Sequence, residues 1–69
     1  MKNRIKELRK AKGLRQEDLA AALNVSRQTI LAIEANKYDP TLELAMRLSA
    51  FFGISVNDIF TMEPERKRK

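Results

Sequence analysis

Residues 16–35, Gln-Glu-Asp-Leu-Ala-Ala-Ala-Leu-Asn-Val-Ser-Arg-Gln-Thr-Ile-Leu-Ala-Ile-Glu-Ala, constrain this chain more than any other stretch. Leu19, Ala20 and Leu23 form one apolar helical face, and Ile30 and Ile33 form another. Between them lies Leu23-Asn24-Val25-Ser26. Asn24 is one of the few non-glycine residues that tolerate the left-handed backbone of a tight turn between helices. Ser26 is a favourable N-cap for the second helix. Val25 before the cap and Ile30 within the first turns are placed for a hydrophobic staple. The stretch predicts a helix, a tight turn and a helix.

The second of these helices keeps Arg27, Gln28, Leu31 and Ala32 off its core face. Arg and Gln side chains make bidentate contacts with guanine and adenine edges in the major groove, and apolar side chains meet thymine methyl groups. A helix that offers such groups from its N-terminal end has the geometry of a recognition helix.

At this point the chain resembles the Cro/phage-repressor-like, or xenobiotic-response-element, family of helix-turn-helix regulators. It looks closest to the minimal single-domain bacterial and archaeal members. The resemblance rests on Ile5-Lys6-Glu7-Leu8-Arg9, Gly13-Leu14, Gln16-Glu17-Asp18-Leu19-Ala20, Val25-Ser26-Arg27-Gln28-Thr29-Ile30 and Ile33-Glu34. It continues through Asn36-Lys37-Tyr38-Asp39-Pro40-Thr41-Leu42-Glu43-Leu44-Ala45 and Gly53-Ile54-Ser55-Val56-Asn57-Asp58-Ile59-Phe60. It implies an all-α, compact five-helix lambda-repressor-like domain with a short C-terminal strand as an optional addition. It also implies a structural ion pair between Arg9 and Glu34, and a phosphate contact at Gln16, where helix-start amides and the helix dipole favour an anion. Many relatives read Asn-Gly where this chain reads Ala35-Asn36. The phosphate contact of the family's loop asparagine therefore falls to Asn36, Lys37 and the loop amides. Ser26 is expected to touch phosphate as well as cap its helix.

With 69 residues the chain makes one small domain, a size at which only about 60% of the unfolded surface is buried. It has no cysteine and no histidine. Disulfides, Cys/His zinc sites and histidine acid–base chemistry are thus excluded. Nothing clusters to suggest a carboxylate metal site, so neither metal nor cofactor is expected. Without paired carboxylates in an apolar setting, an activated nucleophile or a glycine-rich phosphate loop, an enzyme is not expected. No apolar run approaches the ~20 residues of a membrane span, and the basic N-terminus lacks the apolar stretch of a signal peptide. A cytoplasmic protein without a membrane partner is the expectation.

The net charge of +5 is uneven. Residues 1–15 carry a local +6, residues 16–65 a local −5, and residues 66–69 add +4. Basic ends around an acidic middle suit a protein whose edges grip phosphate.

Along the chain, helix one is expected over residues 2–12, ended by Gly13. Arg15 then stands where a Ser or Thr N-cap would be usual. Either it contacts a phosphate, or the position has drifted at an exposed site. Tyr38 is expected to pack against the domain. Thr41 caps a fourth helix running to Phe52, which Gly53 stops. Ser55 to Asp58 has the pattern of a capping box opening a short fifth helix, about 56–60, with Ile54 and Ile59 as a second staple. A brief strand can follow around Phe60 to Met62. The domain is expected over 1–62, with 63–69 a charged, flexible tail.

Together these features predict a sequence-specific, double-stranded DNA-binding transcriptional regulator. It is expected to repress, as a homodimer on a palindromic operator, with residues 27–35 in the major groove. Val56, Phe60 and Met62 are the expected dimer surface. With no second domain to sense a ligand, any signal is expected to arrive through protein level, competition or another protein. The alternative is an antitoxin, or the DNA-binding subunit of a larger complex, whose C-terminal apolar patch holds a second protein partner.

Overall fold

In the computed structural model, residues 2–62 are described. They run β1 (Lys2–Asn3), α1 (Ile5–Ala11), α2 (Gln16–Leu23), α3 (Arg27–Glu34), α4 (Leu42–Phe52), α5 (Val56–Ile59) and β2 (Phe60–Thr61). Among the described residues, four have left-handed backbone, Gly13, Asn24, Asn36 and Gly53, and each follows the end of a helix. At Asn24 (φ 59°) the helix end closes with two bonds typical of such a stop: Val25 N–H donates to Ala20 O at 3.0 Å and Asn24 N–H to Ala21 O at 3.2 Å. The expected turn between α2 and α3 therefore forms on the residue that favours it. Three helix starts use the hydroxyl caps expected of them. Ser26, Thr41 and Ser55 accept from the N–H groups of Thr29, Leu44 and Asp58.

Every helix sends at least one fully buried side chain to the core: Ile5, Leu19, Ile30 with Ile33, Leu48 and Ile59. Leu8, Val25, Phe51, Phe52, Ile54 and Val56 pack around this centre, half-buried. Phe51 and Phe52 meet edge to face with ring centres 5.1 Å apart, and Lys12 Nζ lies 5.7 Å from the centre of the Phe51 ring. The domain is thus the expected five-helix, all-α one, with a two-stranded sheet added.

The sheet corrects two expectations. Helix one begins at Ile5 and not at Lys2, because Lys2 and Asn3 pair antiparallel with Thr61 and Phe60. Arg4 N–H donates to Ile59 O at 2.9 Å and the Asn3 side chain accepts from Ile5 N–H at 3.0 Å, so the backbone turns into the helix only after the strand. The same pairing buries Phe60, which is 7% exposed and belongs to the core. Phe60 is therefore not available as an exposed dimer contact, whereas Met62 is 80% exposed. Tyr38, expected to pack, is half exposed. The charged stretch 63–69 lies outside the described residues.

The α2–α3 turn yields a stability test. Replacing Asn24 with Val should lower unfolding free energy by about 1–2 kcal/mol, since a β-branched side chain resists left-handed backbone. Asn24→Gly should stay close to the parent. Urea midpoints at unchanged slope measure both; equal midpoints for Val and Asn would contradict the turn assignment.

Candidate nucleic-acid interface

The short helix α3 is held from below and bare above. Ser26 Oγ accepts from Thr29 N–H at 3.1 Å and lies 3.0 Å from the Thr29 hydroxyl, which sets the helix start. Ile30 and Ile33 anchor its buried face. Arg27, Gln28 and Leu31 are exposed and Ala32 is half-buried; their i, i+1, i+4, i+5 spacing gathers them on the opposite face. Among the described residues, the Arg27 and Gln28 side chains have no hydrogen-bond partner. Their donors and acceptors are open to a ligand.

The other end of α3 is locked by Glu34. Arg9 Nε donates to Glu34 Oε2 at 2.8 Å and Arg9 Nη2 to Oε1 at 3.3 Å. The two side chains are only 8% and 5% exposed. Arg9 Nη1 also donates to Leu14 O at 2.8 Å, so α1 holds the link to α2 through the same guanidinium. A third donor completes the carboxylate: Gln16 Nε2 reaches Glu34 Oε1 at 3.1 Å. Gln16, expected at a phosphate, is thus engaged with the ion pair. One of its two amide hydrogens remains for a second acceptor. The sequence carried no signal for this link, because a polar residue at a helix start reads the same whichever partner it takes.

Arg15 occupies the N-cap position of α2 without capping by its side chain, which has no acceptor atom. The cap is supplied in reverse: Arg15 N–H donates to Asp18 Oδ2 at 2.9 Å. The guanidinium leans over Glu17 and Asp18, 3.5 Å from each carboxylate. The Arg15 backbone N–H, joined by its charge, holds the Asp18 carboxyl below the usual carboxylate range, against a weaker upward push from burial. Arg9, Arg15, Gln16, Glu17 and Arg27 line a shallow cleft of about 290 Å³. It brings two of the expected phosphate contacts, Arg15 and Gln16, beside the first residue of α3.

Beyond α3, Asn36 has the left-handed backbone expected of it (φ 61°), and Lys37 is exposed. Their amides complete the helix stop: Asn36 N–H donates to Ile33 O at 3.0 Å and Lys37 N–H to Ala32 O at 2.9 Å. Asn36 Oδ1 accepts from Asn3 Nδ2 at 3.1 Å. Asn3 is a residue that sequence reasoning passed over. Its signal was an asparagine two positions before the first core isoleucine, a spacing that suits a helix cap. At the C-terminal end, Val56 is half-buried and Met62 exposed, while Leu42 and Met46 leave a second exposed apolar pair on α4. Among the described residues no helix is long and apolar enough to cross a membrane.

Comparison with known proteins agrees with this geometry. A protein-family model described as Helix-turn-helix matches residues 5–59. An uncharacterised HTH-type transcriptional regulator of Methanocaldococcus jannaschii is 54% identical over 65 residues, covering 94% of this chain and 98% of that protein. The cryptic phage CTXphi transcriptional repressor RstR of Vibrio cholerae is 32% identical over 83% of this chain and 51% of its own length. The HTH-type transcriptional activator BcrR of Enterococcus faecalis is 35% identical over 87% of this chain and 29% of its own length.

Two consequences can be measured. Arg9→Met alone strands a buried carboxylate and should cost about 3–5 kcal/mol, whereas Arg9→Met with Glu34→Met should recover most of that loss. A single-variant cost under ~1 kcal/mol in denaturant titration would mean the pair is solvated, as exposed pairs are. Asp18 supplies the second. Its folded value lies below the unfolded one, so its contribution is complete above about pH 4 and drains away as pH falls through the folded value. Asp18→Asn should therefore flatten the acid limb of the stability–pH curve; an unchanged limb would remove Arg15 N–H as its partner.

Proposed function

The chain belongs to the Cro/C1-type helix-turn-helix family of transcriptional regulators, which are DNA-binding proteins and not enzymes, and we propose that it binds a palindromic operator as a homodimer. In this reading α3 enters the major groove. Arg27 and Gln28 contact guanine or adenine edges, and Leu31 and Ala32 meet thymine methyls. Arg15, Gln16, Ser26, Asn36 and Lys37 face phosphates and set the register. The observation that carries the reading is the unengaged polar face of a helix whose opposite face and far end are locked into the core. The local +6 of residues 1–15 adds a sequence-independent pull on the duplex.

One such helix reads only a few base pairs. Two, related by a two-fold axis, read half-sites about 34 Å apart. The C-terminal surface that carries Met62 and half-buried Val56 is the proposed contact between copies, with Phe60 in the core beneath the strand. Repression by occluding polymerase is the simplest output for so small a domain, and RstR is a relative that represses. A reporter with the operator placed over or upstream of the promoter distinguishes this from activation. Its place is then with the chromosome, in the cytoplasm.

Selection of bound duplexes from a random pool at physiological salt tests the proposal. The parent should enrich a palindrome with half-sites about one turn apart. Gln28→Ala should weaken specific binding by about 1–3 kcal/mol and relax preference at one base pair. A loss equal for every sequence would remove Gln28 from base reading. No enrichment by folded parent protein would overturn the DNA reading in favour of a protein partner on the C-terminal patch.

A further inference from the structure

Asn3 takes no part in the proposed DNA contacts, yet its side chain joins three separate segments. Its Oδ1 accepts from Ile5 N–H at 3.0 Å and so opens α1. Its Nδ2 donates to Ile33 O at 2.8 Å, in the last turn of α3, and to Asn36 Oδ1 at 3.1 Å, in the loop beyond. The acceptor end faces an N–H and the donor end faces two oxygens, which fixes the amide orientation. The Asn3 backbone meanwhile sits opposite Phe60 in the sheet. One residue therefore ties the C-terminal strand to the end of the reading helix and to its left-handed stop.

The mechanical consequence follows from the shortness of α3. Eight residues span about 12 Å, so a small rotation at the Glu34 end displaces Arg27 and Gln28 at the other. The Arg9–Glu34 pair fixes one point at that end through a side chain. The bond from Asn3 to Ile33 O fixes a second through the backbone, at a terminal carbonyl that would otherwise share only the Asn36 N–H. Two fixed points remove a rotation that one leaves free. The bond to Asn36 extends the same control to the loop proposed to face phosphate.

We infer that Asn3 is a positioning residue for DNA binding, one that sets the roll of α3 and the place of the Asn36 loop without touching DNA. The inference rests on the DNA reading proposed above.

Asn3→Ser separates this role from a structural one. A serine hydroxyl still accepts from Ile5 N–H but is too short to span to Ile33 O, and charge is unchanged. Thermal unfolding should move little. Affinity for the selected operator should fall about tenfold, while affinity for a random duplex stays the same. Asn36→Gly keeps the left-handed backbone and removes the Asn3 acceptor. The double variant should lose less than the two singles combined, as for groups in one network. Should Asn3→Ser lose the fold, Asn3→Thr, whose hydroxyl likewise accepts from Ile5 N–H and is likewise too short for Ile33 O, carries the same operator-against-random comparison. Equal losses on both duplexes, no loss on either, or fully additive losses would overturn the inference. If the parent selects no operator at all, the DNA reading falls and the role of Asn3 with it. If the parent selects one and Asn3→Ser binds it unchanged, only the role of Asn3 falls.

Discussion

A carboxylate buried at the last turn of a helix sits at the negative end of the helix dipole, where its charge is least welcome. Glu34 occupies that place and is 5% exposed. It is tolerated because Arg9 meets it with two N–H groups and Gln16 with a third. The rest of the domain hangs on this arrangement. The same guanidinium holds Leu14 O, so α1, the link to α2, the first turn of α2 and the last turn of α3 converge on one ionised group. Such pairs often add little net stability against a well-packed apolar substitute. What this one contributes is direction. It fixes the end of α3 without using any atom on the face that carries Arg27 and Gln28.

That division of labour suits a chain of this length. The core takes one to three apolar side chains from each helix, and three helix starts take single hydroxyl caps. Left-handed residues stop four helices and spare the chain long loops. With so little interior, the orientation of α3 cannot come from packing alone. It comes from polar bonds at the helix ends: Ser26 at the start, Arg9, Gln16 and Asn3 at the finish. An open polar face and a structural face then coexist on a helix of 8 residues.

Much of this was legible in the sequence wherever the determinant is local. Asn24, Gly13 and Gly53 announce their own backbone, Ser26, Thr41 and Ser55 announce helix starts, and the spacing of Leu19, Leu23, Ile30 and Ile33 announces the core. The Arg9–Glu34 pair was legible only through the family pattern, since nothing local joins residues so far apart. The strand β1 was not legible at all. Two residues show no period, and their partners Phe60 and Thr61 lie at the other end of the described chain. For the same reason the burial of Phe60 was misjudged. An apolar residue in a brief strand reads alike on either face, and only the register decides which side it takes. Gln16, Asn3 and Arg15 show a further limit. A polar side chain advertises that it will bond, and the fold alone chooses the partner.

The central claim is that α3 meets DNA with the face of Arg27, Gln28, Leu31 and Ala32. Amide chemical shifts of isotopically labelled protein, titrated with its selected operator duplex, test it most directly. The account predicts the largest changes over residues 27–32, with further changes at Gln16, Asn36 and Lys37. Changes confined to residues 56–62, with α3 unmoved, would contradict it and place the binding surface at the C-terminal end.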